Sequence, residues 1–404
     1  LDQSFGALQP GYSFTGWVTT RFPAPPPYTL KASVQALAVA PDGKIVAAGW
    51  ATNISPHTPV VARYNPDGSP DSLFGGVGAD GKTSIPVGYD GSILAIAIQP
   101  DGKILAAVGK ALCRLDATTG FLDVGFGSGG IATTQSGGID VYHAAVAVQP
   151  DGRILAGGNL LGRFAIVRYG PDGTLDTGFG DGGITTADAG GARSFFLQPD
   201  GTFIVGATTT AGNLALLRFR ADGTLDTGYG SGGILATDGG YGSGVALQPD
   251  GKILVAGSAY NPTLDFFVDR YNADATHDLG FGKGGRVLTD FSKGDDEAEA
   301  LLLQPDGRIV VAGRTVRTGG AKPERHFALA RYTPEGAVDH SFASNGKAET
   351  DFYADSTDRR NPQLQLESIV WALAIQPDGR LLAGGYFDRI AATSNASFIV
   401  ARYY

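Results

Sequence analysis

The chain has 404 residues, 61 of them Gly and 22 Pro, with hydrophobic residues at 43% and a formal net charge of −9. Gly at about twice its usual share of roughly 7% excludes a long-helix or coiled-coil protein, because that much Gly destabilises helix interiors, and the lack of a Gly-X-Y period excludes collagen. An acidic balance without a basic stripe argues against a nucleic-acid partner, no apolar run reaches the roughly 18 residues of a membrane span, and a single Cys rules out a disulfide-stapled scaffold.

What remains is a turn-rich β protein, and its elements can be taken in chain order. The sequence opens on Leu1-Asp2-Gln3-Ser4-Phe5-Gly6, followed by a strand expected around residues 13–19. From there one unit recurs. Its turn, Gln-Pro-Asp-Gly or a close variant, has its Asp at Asp42, Asp101, Asp151, Asp200, Asp250, Asp306 and Asp378, at spacings of 59, 50, 49, 50, 56 and 72 residues. An apolar run follows, then a run ending in Arg and usually an aromatic, such as Phe164-Ala165-Ile166-Val167-Arg168-Tyr169. Next comes a Leu-Asp-x-x-Phe-Gly linker, as in Leu175-Asp176-Thr177-Gly178-Phe179-Gly180, and a short closing strand. Residues 245–247, 253–256, 266–271 and 286–289 exemplify the four strands, A to D, of one unit. Asp-Gly between A and B is a hairpin signal, since Gly supplies positive φ without steric cost.

These three motifs, recurring in fixed order along the whole chain, resemble the delta-60 repeat family, a group of bacterial repeats. The resemblance implies a β-propeller and no particular activity. Leu115 after Arg114 and Ala343 after Phe342, where Gly is usual, depart from the pattern at single turns.

Four short strands per 50–60 residues joined by Gly-rich turns is also the pattern of a propeller blade on physical grounds. Strand A alternates small residues, as at Ala36/Ala38 and Ala95/Ala97, with large ones, as at Ile96/Ile98, which predicts a strand buried on both faces. The chain ends on strand C, Ala401-Arg402-Tyr403-Tyr404, with no linker after it. The expected fold is therefore all-β: one domain over residues 1–404, a seven-bladed propeller of four-stranded antiparallel blades. Residues 367–404 and an N-terminal strand at about 7–20 would make the last blade and close the ring.

Arg recurs in strand C at Arg63, Arg114, Arg168, Arg218, Arg270, Arg331 and Arg402. Asp recurs in the linker at Asp71, Asp123, Asp176, Asp226, Asp278, Asp339 and, across the termini, Asp2. A separation of eight residues in five units and nine in one suits a guanidinium holding a carboxylate, so one structural ion pair per blade is expected.

Function is expected where this regularity breaks, since variable loops on a rigid scaffold carry binding chemistry. The long D–A segments at 21–33 and 351–367 and B–C segments at 50–59, 314–325 and 386–397 would share one sector. The candidate ligand-binding residues there are Tyr28, Trp50, His57, Arg317, Arg325, His326, Arg359, Arg360, Phe387 and Asp388, beside Arg389. Aromatics with Arg and Asp suit a glycan or a protein partner. The five His lack zinc-site spacing, no Gly-x-Ser-x-Gly elbow occurs, and no catalytic or metal-ligating residue is singled out. No cofactor is called for, although the acidic run Asp290, Asp295, Asp296, Glu297 and Glu299 leaves Ca²⁺ open.

The leading expectation is a non-catalytic, monomeric binding propeller of bacterial origin, secreted, periplasmic or on the cell surface. The alternatives are a hydrolase or lyase with its site at the mouth of a central channel, or a structural spacer in a larger surface protein. The chain contains no Met, so Leu1 is expected to be a processed or trimmed start.

Overall fold

The computed structural model describes residues 1–6, 16–22, 31–52, 57–76, 78, 80–89, 91–208, 214–237, 241–291, 294–317, 323–352, 365–390 and 397–404. Among them every regular element is a β-strand. The first is β1 (Trp17–Thr20). The next four, β2 (Lys31–Val39), β3 (Ile45–Thr52), β4 (Thr58–Tyr64) and β5 (Lys82–Ser84), form a four-stranded sheet in that order. So do β6 (Ile93–Ile98), β7 (Ile104–Val108), β8 (Ala111–Leu115) and β9 (Ile131–Thr133). A small hairpin, β10 (Gln135–Ser136) with β11 (Ile139–Asp140), precedes the sheet of β12 (Tyr142–Val148), β13 (Ile154–Leu160), β14 (Arg163–Tyr169) and β15 (Ile184–Ala187). Two more sheets of four follow: β16 (Ala192–Leu197), β17 (Phe203–Thr208), β18 (Leu214–Phe219) and β19 (Ile234–Ala236), then β20 (Tyr241–Leu247), β21 (Ile253–Tyr260), β22 (Leu264–Tyr271) and β23 (Arg286–Thr289).

The remaining strands are β24 (Asp296–Leu303), β25 (Ile309–Arg317), β26 (Glu324–Tyr332), β27 (Lys347–Thr350), β28 (Gln365–Ile375), β29 (Leu381–Ile390) and β30 (Ser397–Tyr403). With β1 they make one eight-stranded sheet in the order β1-β30-β29-β28-β26-β25-β24, with β27 paired to β26. The expected count of seven four-stranded blades is thereby corrected: the structure has five blades of that kind, not seven. The cause is strand length. β26 has 9 residues and β28 has 11, against 6 each for β18 and β16. The added residues lie at the N-terminal ends of β26 and β28, where the two backbones pair in parallel at Arg325↔Glu367. β1 joins the same sheet by antiparallel pairing with β30, Trp17 opposite Ala401 through Thr20 opposite Phe398. It starts at Trp17, and residues 7–15 of the expected closing strand lie outside the described residues.

The chain divides into two compact units. One comprises residues 1–34, 51–54 and 239–404, the other residues 35–50 and 55–238. In the first, Val310, Phe327, Phe352, Val370, Ile399 and Tyr403 share a buried core, and Leu254, Phe266, Phe281 and Val311 belong to another. In the second, Phe164 and Phe203 stack on either side of Phe219 at centroid distances of 5.6 and 5.4 Å, the spacing of offset rings.

The strands buried on both faces are B and C rather than A. All five residues of β7 and of β8 are buried, whereas β6 has one buried residue. Strand A is the edge strand of each four-stranded sheet, so its side chains are only half covered. It also carries a β-bulge, at Leu94, Ala144, Arg193, Ser243, Glu299 and Trp371, in each of the six registers resolved between A and B. Cys113 lies in β8, fully buried, and burial pushes its thiol up to about 12, as expected for an inert core residue.

The turn that departs from the repeat at Ala343 keeps the repeat's backbone. Gly127, Gly180, Gly230 and Gly282 have φ of 53, 54, 55 and 52°, and Ala343 has φ of 44°. A Cβ at those glycines would meet a backbone oxygen at 2.3–2.6 Å, an approach that Ala343 must tolerate by local adjustment. Ala343→Gly is expected to raise stability by about 0.5–1 kcal/mol. A denaturation midpoint equal to or below that of the parent would contradict this.

Candidate functional site

The repeat's most regular side chains form one node per unit. Arg63, Arg114, Arg168, Arg218, Arg270, Arg331 and Arg402 approach Asp71, Asp123, Asp176, Asp226, Asp278, Asp339 and Asp2 at 2.7 or 2.8 Å. Each guanidinium also lies over the aromatic ring of the same linker, at 4.5 or 4.6 Å from the centroids of Phe74, Phe126, Phe179, Tyr229, Phe281, Phe342 and Phe5. Several reach on to a carbonyl of the following repeat. Arg63 donates to the Thr118 oxygen at 3.1 Å, Arg168 to that of Ala221 at 2.6 Å and Arg270 to that of Pro334 at 2.6 Å.

A second cation joins each carboxylate. Lys44, Lys103, Arg153, Lys252, Arg308 and Arg380, the residues after Asp-Gly in the A–B turns, lie 2.8–3.2 Å from it. In the one unit with Thr202 at that position, Arg220 approaches Asp226 instead, at 3.2 Å. The linker aromatic and this second cation are parts of the node that the Arg–Asp spacing alone does not reveal. Burial opposes ionisation of Asp2, but hydrogen bonds from Ser4 and Tyr404 and the Arg402 charge outweigh it and hold the carboxyl at about 2. Asp71, Asp123, Asp226 and Asp339 are also lowered against the opposing effect of burial, and Asp278 is lowered chiefly by Lys252. Each carboxylate is thus neutralised within its own node, and the regular recurrence marks these nodes as repeat architecture.

The candidate binding residues fall into two groups. In the second unit, Trp50 at the outer part of β3 stacks on His57, with centroids 4.4 Å apart and planes 17° apart, and His57 Nδ1 lies 3.3 Å from Ser92 Oγ. In the first unit lie Arg317, Arg325, His326, Phe387 and Asp388. Tyr28, Arg359 and Arg360 lie outside the described residues. Much of the expected loop is in fact strand: 314–317 belong to β25, 324–325 to β26, 365–367 to β28 and 386–390 to β29. Alternating side chains such as Arg314-Thr315-Val316-Arg317 extend the ladder beyond the core.

On these extensions the charges neutralise one another. Arg325 pairs with Glu367, the residue opposite it across the parallel bridge, and Tyr386 Oη donates to Glu367 Oε2 at 2.7 Å. Arg317 meets Glu349 at 2.7 Å and Arg314 meets Glu297 at 2.7 Å. Lys31 lies 3.7 Å from the buried Asp388, and His326 contacts Asp351 and lies 3.4 Å from Glu324. Phe387 packs edge-on against Phe352 at 5.7 Å. Burial and the Glu367 carboxylate push the Tyr386 hydroxyl up, so it stays a donor. Glu367, Tyr386, Arg314 and Glu349 were not among the binding candidates and Glu297 was read only as part of an acidic run, because ladder register alone brings these residues together.

The acidic run separates. Asp295 Oδ1 accepts the Leu264 N–H at 3.1 Å and Glu297 is held by Arg314. Asp290 and Asp296 instead meet Asp265, at the start of β22, with one oxygen of each carboxylate within 4.8 Å of the others. Asp265 and Asp296 are buried, at 3% and 0% exposure, and Asp290 is exposed. Two unit charges at ~4 Å repel by about 4 kcal/mol at an effective dielectric of about 20. Burial, reinforced by the Asp290 and Asp265 charges, raises Asp296 to about 6. Burial likewise raises Asp265.

Six segments, residues 40–74, 149–179, 198–229, 248–281, 304–342 and 376–403, match the family model described as "Domain of unknown function (DUF5122) beta-propeller". No curated protein matches the chain. Among solved structures, a protein of unknown function from Dyadobacter fermentans DSM 18053 is 12% identical, covering 96% of this chain and 98% of its own, with a TM-score of 0.47. One of unknown function from Bacteroides caccae is 13% identical, covering 79% and 98%, with a TM-score of 0.41. Chaetomium thermophilum Sqt1, bound to the N-terminus of the ribosomal protein L10, is 11% identical, covering 92% and 96%, with a TM-score of 0.47. None of these likenesses decides a function. Among the described residues no helix is long and apolar enough to cross a membrane.

Proposed function

We propose that this chain, a member of a β-propeller repeat family, is a non-catalytic, extracytoplasmic bacterial binding protein whose ligand is a neutral glycan held on the extended ends of β25, β26, β28 and β29. The repeats are, in this reading, of the delta-60 kind. The observation that carries the proposal is the mutual neutralisation of Arg325 with Glu367, Arg317 with Glu349 and Arg314 with Glu297 beside Tyr386 and Phe387. A patch whose charges are already paired gains little from an ion. A carboxylate has about four acceptor positions and a guanidinium about five N–H donors, so one ion pair leaves each group with hydrogen-bonding capacity. Sugar hydroxyls donate and accept at once, and an aromatic ring beside such groups suits a pyranose face.

A glycan array followed by calorimetry tests this. The parent protein is expected to bind a neutral glycan with little dependence on NaCl. Tyr386→Phe and the exposed Arg317→Ala should each weaken binding about tenfold, or about 1.4 kcal/mol. A silent array with a protein captured in parallel pull-downs would move the function to a protein partner. Unchanged affinity in both variants would remove the site from these strands.

A further inference from the structure

We propose that Asp265, Asp290 and Asp296 form a binding site for a hard divalent cation, Ca²⁺ in the first place, built where β22, β23 and β24 meet. The chain brings the three together by topology. Phe266 is paired with Thr289 in the β22–β23 ladder, so Asp265 and Asp290 continue that ladder side by side at its outer end. Asp296 opens β24, opposite Thr315.

The acidic cluster alone would not make a site. The second observation is the orphaned oxygen of Asp296. That residue is fully buried; its carboxylate takes hydrogen bonds from the Phe291 N–H, to Oδ2 at 2.7 Å, and from the Thr315 side chain, and its Oδ1 is buried with no hydrogen-bond partner. A buried carboxylate oxygen without a donor costs free energy unless a cation or proton meets it. The neighbouring lysine does not fill the role, because Lys347 Nζ donates to the backbone oxygen of Asp290. The hydrogen bonds to Asp265 are long and neutral, from Asn261 Nδ2 at 3.3 Å and Thr263 Oγ1 at 3.4 Å, and Lys347 acts on it through charge alone.

The donor set selects the ion. Three carboxylates with no His or Cys favour a hard cation over zinc or copper. Oxygens on opposite sides of Ca²⁺, at about 2.3–2.6 Å each, stand up to about 5 Å apart, whereas Mg²⁺ at about 2.0–2.1 Å demands a tighter, near-octahedral set. Three carboxylate oxygens within 4.8 Å of one another can share a Ca²⁺ ion, and water completes its flexible coordination to about six to eight ligands. The three aspartates are distinct from the residues assigned to the glycan surface, although Asp296 adjoins Glu297 of that patch on β24, so Ca²⁺ binding and glycan binding are measured separately.

The test uses the full chain freed of metal with a chelator, with CaCl2 and then MgCl2 titrated by calorimetry and thermal melts run with and without Ca²⁺. One Ca²⁺ per chain is expected, with a higher melting temperature, and Mg²⁺ at least tenfold weaker. Asp296→Asn and the exposed Asp290→Asn should each weaken Ca²⁺ binding at least tenfold. A crossing is expected as well: without Ca²⁺, Asp296→Asn should melt at or above the parent, because a repelled carboxylate is gone, and with Ca²⁺ it should melt below. No heat and no shift for the parent at millimolar Ca²⁺, or binding that persists in both variants, would overturn the proposal.

Discussion

Arg63→Ala is expected to lower the unfolding free energy by about 3–5 kcal/mol, the usual cost of removing one partner of a buried ion pair. The Arg63 and Asp71 side chains are each 6% exposed. Arg63 donates through Nε to Asp71 at 2.7 Å, reaches the Thr118 carbonyl in the next repeat, and covers the Phe74 ring at 4.6 Å. Alanine deletes all three contacts and leaves the Asp71 carboxylate with one cation, Lys44 at 3.1 Å, and the Leu73 N–H at 3.3 Å. Arg63→Lys keeps the charge but loses the fork and the flat face over the ring, so it should fall between. Arg153 touches the equivalent carboxylate from the outside, with 47% of its side chain exposed, and Arg153→Ala should cost no more than about 1 kcal/mol. Urea unfolding of the three variants separates inner from outer cation. Equal losses for Arg63→Ala and Arg153→Ala would show that the node is not the unit of stability described here.

The second large effect is expected in mild acid. His143 is buried, with Nε2 3.2 Å from the Tyr169 hydroxyl, and burial lowers its pKa from 6.5 to about 4. The unfolded chain therefore takes up the proton first. Stability contributed by the neutral ring is complete above pH 6.5 and is lost as pH falls toward 4, by about 3 kcal/mol in all. Asp296, raised to about 6, runs the other way and gains stability over part of the same range, so the parent's slope is a sum. His143→Leu isolates the term: Tyr169 keeps Thr134 as a partner at 2.8 Å, and the variant should lose less stability than the parent between pH 6.5 and 4. Parallel curves for parent and variant would sink the assignment. Below that window the lowered carboxylates take over. The stabilisation from Asp2 is present above its unfolded value of 3.8 and disappears as pH falls through about 2.

The repeat was legible because its parts are local. Each Asp-Gly turn joins adjacent residues and the Arg-to-Asp spacing within a unit is eight or nine, so short-range geometry decides them. The blade count was not, because it depends on one long-range bridge: nothing in the local pattern of Arg325 or Glu367 says that their backbones pair. The candidate site failed in the same way. Arg325 and Arg317 were visible as unusual charges, while Glu367 and Glu349, which neutralise them, sit 42 and 32 residues away and are found only through register. Asp265 looked like an ordinary strand residue until β23 and β24 brought Asp290 and Asp296 beside it.

The pairing of β1 with β30 also decides where this sheet is vulnerable. Among the described residues β1 pairs with β30 alone, and Asp2 takes Arg402 and the Tyr404 hydroxyl at the same seam. When β1 is displaced, the edge of β30 that it covers is open to foreign strands. Bringing two segments so distant in sequence together costs little more than closing a short loop, since the penalty grows only with the logarithm of length. The seam is therefore a cheap closure that guards an edge, and loosening it exposes the sheet to misassembly.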